Sequence, residues 1–203
     1  MKIIERNIPD YQENKLFSPI RHKLDYIQIL LLSMQILLLE DNGNNSSSKM
    51  KLCIDKMNRL FFYKQDKYFS IAFPFFVSID DNNVREIKTY SEEEIDFEKI
   101  SSVLAILNNE HYKNHKSLIN LDIDPDIIDI KGIALLEELL LFEPCYVRYD
   151  YDIKNQNGNR HPTSHLDINY SQYGTFKLGL NNSINNSYFE DLHNTNTDCS
   201  FIM

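Results

Sequence analysis

Apolar side chains recur along this chain with two different periods, and each period predicts a type of element. Residues 20–40 carry them at three- and four-residue spacing, which predicts an α-helix with a wide apolar face. Residues 127–142 repeat the pattern and predict a second strongly apolar helix. Ser91-Glu92-Glu93-Glu94 has the pattern of a capping box, which predicts the start of a third helix of about twenty residues.

Strand patterns occupy most of the remaining chain. Residues 59–63 and 68–73 are apolar segments that flank a polar loop of four residues, which predicts a β-hairpin. Further strands are predicted at residues 75–79, 84–90, 145–153, 165–170 and 175–178, and a short helix at 187–193. Residues 1–18, with two nearby prolines and mixed polarity, predict an irregular arm, and the polar residues 194–203 a frayed tail. We therefore expect a single α+β domain over residues 1–203, with an antiparallel sheet packed against several helices.

Composition restricts the class of protein. The chain has 203 residues, of which 42% are hydrophobic and 25% charged, the balance of a globular protein. Its formal net charge of -9 disfavours non-specific binding along nucleic acids. Its three cysteines lie far apart and predict free thiols. The apolar run at residues 27–39 is interrupted and too short to span a bilayer, so we expect a soluble cytoplasmic protein that does not bind membranes.

Residues that could perform chemistry gather in the last third of the chain. Arg148-Tyr149-Asp150-Tyr151-Asp152 is followed, after a polar loop, by His161-Pro162-Thr163-Ser164-His165-Leu166-Asp167. Because alternate residues of a strand share one face, pairing of these two segments would merge their polar faces. The candidate site residues are Arg148, Asp150, His161, His165 and Asp167.

Metal-independent cleavage of RNA is the strongest chemical interpretation of this cluster. His161 and His165 would exchange protons, Arg148 would stabilise a phosphate-like charge, and Asp150 or Asp167 would orient a histidine. No cofactor or metal ion is required for that chemistry.

Three alternatives remain open for the same residues. Arg148 and Asp150 could form a purely structural ion pair at the surface of a sheet. The cluster could bind a ligand without catalysis. It could also hold a metal ion through His161, His165 and Asp167 together with Asp150.

The same part of the chain resembles a bacterial family catalogued as a domain of unknown function, number twenty-two ninety. The resemblance rests on Phe142-Glu143-Pro144, the Arg148 to Asp152 block, His161-Pro162-Thr163-Ser164-His165-Leu166, Phe176-Lys177-Leu178 and the aromatic segment from Tyr188 to His193. It covers about the last third of the chain, and Lys177 stands where that family has arginine. The resemblance implies an accessory protein of bacterial mobile-element and phage-defence loci, with no established activity.

Two functional hypotheses follow. The first is a bacterial defence-associated or toxin-like protein that acts on RNA and is held in check by an antitoxin. The second is a non-catalytic regulatory or scaffold subunit, which would dock on a larger effector protein through the apolar stripes of residues 24–39 and 127–142. The sequence does not indicate an oligomeric state.

Overall fold

The computed structural model describes residues 2–39, 46–56, 58–110, 112, 130–169, 174 and 176–201. In chain order the elements are β1 (Lys2–Asn7), α1 (Asp10–Leu16), α2 (Lys23–Leu38), β2 (Ser48–Ile54), β3 (Arg59–Lys64), β4 (Lys67–Ala72), β5 (Phe76–Asp80), β6 (Asn83–Lys88), α3 (Phe97–Asn108), α4 (Ile130–Leu141), β7 (Val147–Tyr151), β8 (Ser164–Ile168), β9 (Phe176–Gly179) and α5 (Asn186–Asp191).

These elements form two compact units, and the chain passes between them after residues 8, 44, 72 and 144. The described residues within 1–8, 45–72 and 145–203 form unit 1, and those within 9–44 and 73–144 form unit 2. The expectation of a single domain stays a prediction. In the part of the chain that the structure describes, no helix combines the length and the apolar character needed to cross a membrane.

Unit 1 is a seven-stranded sheet with the order β1-β2-β3-β4-β7-β8-β9, in which every neighbouring pair is antiparallel. One face of the sheet is covered by α5, whose Phe189 is fully buried among Phe61, Tyr149 and Leu166. Glu190 fixes the helix to the sheet, because it accepts hydrogen bonds from Lys51 Nζ at 2.7 Å and from Tyr63 Oη at 2.5 Å. The expected antiparallel α+β fold is thereby confirmed.

Unit 2 contains α1 to α4 and the two-stranded hairpin of β5 and β6. Most of the apolar stripe of α2 is buried, although Leu39 just after the helix is half exposed, and docking of an effector protein stays a prediction. The most buried apolar side chains of α2 are Tyr26, Ile27, Leu30, Leu31, Met34 and Leu37, each with no exposed area. In α4 the side chains of Leu135, Leu136 and Leu139 are buried as well. These buried side chains of both helices are therefore core residues.

Three local expectations were wrong. Residues 1–18 are not an irregular arm, because Lys2–Asn7 pairs with β2 and Asp10–Leu16 is a helix. The loop between β3 and β4 is shorter than expected, because Lys64 and Lys67 pair and leave only a two-residue turn. The third helix does not begin at the predicted capping box, because Asp96 caps it by accepting a hydrogen bond from Lys99 N at 2.8 Å.

Packing between α3 and α4 requires a glycine at position 132. A Cβ atom built there would lie 2.1 Å from Ser102 Oγ and 2.9 Å from Ser102 Cβ. Gly132→Ala would normally favour a helix by about 1 kcal/mol, but the overlap forces the two helices apart.

We predict that Gly132→Ala destabilises the protein by about 1–3 kcal/mol, the usual result of overpacking. Gly174→Ala is the control, because a Cβ at position 174 meets no atom of the described residues within 4 Å. Urea unfolding of both variants measures the effect. Equal stability of Gly132→Ala and the wild type would show that α3 and α4 can separate without cost.

His193 is a buried histidine of unit 1 that the sequence did not single out. Its ring packs edge-on against Phe61 and Phe189, with ring centroids 5.4 Å and 4.9 Å apart. Its Nδ1 donates to Phe189 O at 2.7 Å, and its Nε2 is buried with no partner among the described residues. Burial, and then the charge of Arg59, lower the pKa of His193 to about 4.

The low pKa of His193 predicts a loss of stability in acid. Between pH 6.5 and 4 the unfolded chain binds a proton at this residue and the folded chain does not, so its contribution is complete above pH 6.5 and declines towards pH 4, by roughly 3 kcal/mol. Urea unfolding at pH 7.5 and pH 4.5 should show a smaller pH dependence in His193→Gln than in the wild type. Parallel pH profiles would contradict the assignment.

Candidate functional site

Strands β7 and β8 bring four of the five predicted site residues together. Their antiparallel register pairs Arg148 with Asp167 and Asp150 with His165. Directly opposite residues of two strands point to the same side of a sheet, and so do alternate residues of one strand. All four side chains therefore share one face, and the intervening Tyr149 and Leu166 pack on the other face with Phe189.

Arg148 connects the two carboxylates of the cluster. Its Nε lies 2.6 Å from Asp150 Oδ2, and its Nη2 lies 2.7 Å from Asp167 Oδ2. The Tyr146 side chain interacts with this guanidinium as well. Burial alone would lower the pKa of Arg148, but Tyr146 and the two carboxylates outweigh burial and raise it. Burial raises the pKa of Tyr146 to about 12, so this residue stays a neutral phenol.

The cluster is buried. The exposed fraction of the side chain is 15% for Arg148, 12% for Asp150, 3% for His165 and 2% for Asp167. Since its charge is already shared with two acids, Arg148 is poorly placed to bind a substrate phosphate. The Arg148–Asp150 ion pair that one alternative expected is present, and both of its side chains are largely buried on the face of the sheet.

The His165 ring is fixed by a hydrogen bond at Nδ1 and faces a carboxylate at Nε2. Its Nδ1 lies 3.0 Å from Pro162 O, and because a carbonyl oxygen can only accept, Nδ1 carries the hydrogen. Its Nε2 faces Asp150 Oδ2 at 3.9 Å, a distance beyond a hydrogen bond. The backbone of Pro162 thus sets the tautomer and the direction of the ring.

His161 lies in contact with His165, with ring centroids 4.6 Å apart and ring planes at 64°. The loop between β7 and β8 places it there, because Asn157 N donates to His161 O at 2.9 Å and His161 N donates to Asn157 O at 3.3 Å. Gly158 has a φ of 49°, which suits a glycine in this tight turn. His161 is partly exposed, but its Nδ1 is buried with no partner among the described residues.

Asp152 lies outside the cluster, although alternation along β7 would have placed it beside Asp150. The strand ends at Tyr151, and the Asp152 carboxylate instead accepts hydrogen bonds from Asn155 N at 3.1 Å and Asn155 Nδ2 at 2.7 Å. These bonds lower the pKa of Asp152. Its role is to shape the loop that carries His161.

Three residues of the cluster could hold a metal ion. Asp150, His165 and Asp167 each offer one ligand atom, and these atoms lie within 4.8 Å of one another. Asp167 Oδ1 is buried and has no hydrogen-bond partner in the described part of the chain.

Lys67 belongs to this site and was missed by reasoning from the sequence. It lies on β4, opposite Asp150, and its Nζ is 3.8 Å from Asp150 Oδ1. Its side chain is 43% exposed, so this cation is more accessible to solvent than Arg148, whose side chain is 15% exposed. Strand alternation predicts its face, but nothing local in the sequence indicates that β4 pairs with a strand about eighty residues further along the chain.

No protein-family model, curated protein or solved structure matches this chain. The family resemblance of its last third, and the role in phage-defence or mobile-element loci that it implies, therefore stay predictions.

The burial of two acids beside one arginine generates a prediction on stability. Arg148→Met should cost about 3–5 kcal/mol, because it leaves the Asp150 and Asp167 carboxylates without their main countercharge. The double variant Arg148→Met/Asp167→Leu should recover part of this loss, and Arg160→Met, in the exposed loop, should change stability by less than about 0.5 kcal/mol. Urea unfolding measures all three. A loss below about 1 kcal/mol in Arg148→Met would show that solvent or another cation reaches the acids.

Proposed function

We propose that this protein cleaves RNA, with His161 as the group that exchanges protons with the substrate. The 2′-hydroxyl of a nucleotide attacks its own 3′-phosphate while the His161 imidazole takes the hydroxyl proton. The protonated imidazole then gives that proton to the departing 5′-oxygen as the P–O5′ bond breaks. The products are a 2′,3′-cyclic phosphate and a free 5′-hydroxyl, and neither water nor a redox partner is consumed.

The proposal rests on the position of His165, which lies between Asp150 and His161. A partly exposed imidazole contacts a buried imidazole, which is itself fixed by a carbonyl on one side and faces a carboxylate on the other. Imidazoles have pKa values suited to proton transfer near neutral pH, and a catalytic group gains from being oriented in advance. His165 is a positioning residue in this scheme, because its side chain is only 3% exposed.

Lys67 is the proposed contact for the phosphate. Charge that develops on the phosphate oxygens needs a nearby cation, and Lys67 Nζ combines exposure with a loose 3.8 Å contact to Asp150. Arg148, first assigned to this role, instead neutralises Asp150 and Asp167 and keeps them in place. Cellular RNA is also the substrate that a toxin-like protein would attack.

The test is cleavage of a fluorescent single-stranded RNA by the purified full-length chain. His161→Ala should lower the rate by about 10²–10⁴-fold, the usual contribution of a general acid–base group. Lys67→Met should lower it by about tenfold or more. The matching DNA strand should stay intact, because it lacks the attacking hydroxyl. The products should carry the cyclic phosphate.

The neighbouring exposed residues provide controls. Arg160→Ala and Lys154→Ala remove a positive charge from the same loop without touching the cluster, and both should cleave at the wild-type rate. Absence of cleavage by the wild type, or an equal rate in a folded His161→Ala variant, would end the proposal.

A further inference from the structure

In the described part of unit 1, one carboxylate oxygen of Asp167 has no hydrogen-bond partner. Its Oδ2 is bound by Arg148, but its Oδ1 is buried without a partner, on a side chain only 2% exposed. Leaving a charged acceptor unpaired in the interior is costly, so such an atom normally has a ligand or a neighbour to satisfy it.

His165 offers a lone pair in the same place. Because its Nδ1 hydrogen is donated to Pro162 O, the neutral ring carries its lone pair on Nε2. That nitrogen faces Asp150 Oδ2 at 3.9 Å. Metal-binding histidines usually donate one ring N–H to a backbone carbonyl or a carboxylate and bind the metal through the other nitrogen. In His165 these would be Nδ1 and Nε2.

We propose that Asp150, His165 Nε2 and Asp167 bind a divalent transition-metal ion of the Zn²⁺ class. One nitrogen and two oxygens are a ligand set for which Zn²⁺ is well suited. Two ligand atoms at about 2.1 Å from one ion in tetrahedral geometry are about 3.4 Å apart. The observed ligand atoms, all within 4.8 Å of one another, therefore need to approach by about an ångström.

The charges around the three ligands are close to balanced. With His165 neutral, the Asp150 and Asp167 carboxylates exceed the Arg148 guanidinium by one charge, which the ion pair between Lys67 and Asp150 offsets. Arg148 contacts the Oδ2 atom of both acids. Ligating carboxylates are commonly oriented by such contacts with residues that do not bind the metal themselves. Lys67 is a further positive charge, but it is loosely placed and about two-fifths exposed.

Binding of Zn²⁺ to the full-length chain tests the inference by itself, whether or not RNA is cleaved. The titration uses chelator-treated protein with Cys145→Ser and Cys199→Ser, because both exposed thiols are alternative zinc ligands. Calorimetry should show one Zn²⁺ ion bound per chain. Asp167→Asn, which keeps the size of the side chain, should weaken this binding at least tenfold.

His161→Ala is the matched control, since His161 lies beside the three ligands without belonging to them. It should bind Zn²⁺ like the parent chain, although it should not cleave RNA, so failure of the two proposals can be told apart. A thermal melting temperature that rises with Zn²⁺ in the parent chain and not in Asp167→Asn gives a second measurement. Equal affinity in Asp167→Asn, or no stoichiometric binding up to 100 times the chain concentration, would overturn the inference.

Discussion

Two buried carboxylates share one guanidinium on the face of β7 and β8, and the geometry of the site depends on this arrangement. Arg148 reaches Asp150 along its own strand and Asp167 across to the next strand, at 2.6 Å and 2.7 Å. Removing the arginine would leave like charges close together in a poorly solvated place. One side chain that is itself largely shielded from solvent therefore orients both acids, which surround His165.

The sequence predicted the composition of this cluster because strand alternation and short-range pairing determine it. Arg148 and Asp167 are nineteen residues apart, and the loop between their strands is closed by its own hydrogen bonds around Gly158. Any antiparallel pairing that buries Tyr149 on one face with Leu166 must bring the polar residues together on the other face. The α+β class was predictable in the same way, because the spacing of apolar residues within each segment indicates whether it is a helix or a strand.

The presence of Lys67 was not predictable, because it arises from pairing between distant segments. Strand β4 pairs with β7 and places Phe69 opposite Arg148 and Lys67 opposite Asp150. The polar cluster therefore lies on the same face of the sheet as Phe62, Phe69 and Ile71, which are buried apolar residues of β3 and β4. The error at Ser91 was different in kind. Its sequence fits a capping box, but Glu92 has a φ of 63° and Asp96 supplies the cap instead.

A cluster of this kind contributes little net stability to a fold. Desolvation of three ionised side chains costs about as much as their attraction returns, and apolar residues of similar size often stabilise a fold as well or better. On the same face of the sheet, β3 and β4 carry apolar side chains, so apolar residues can occupy such positions. What apolar residues cannot supply is a histidine with a defined tautomer facing a carboxylate. The proposed proton transfer through His161 and the proposed metal binding at His165 would both use that feature. They would compete, because a bound ion would fix the ring and occupy the carboxylates behind His161.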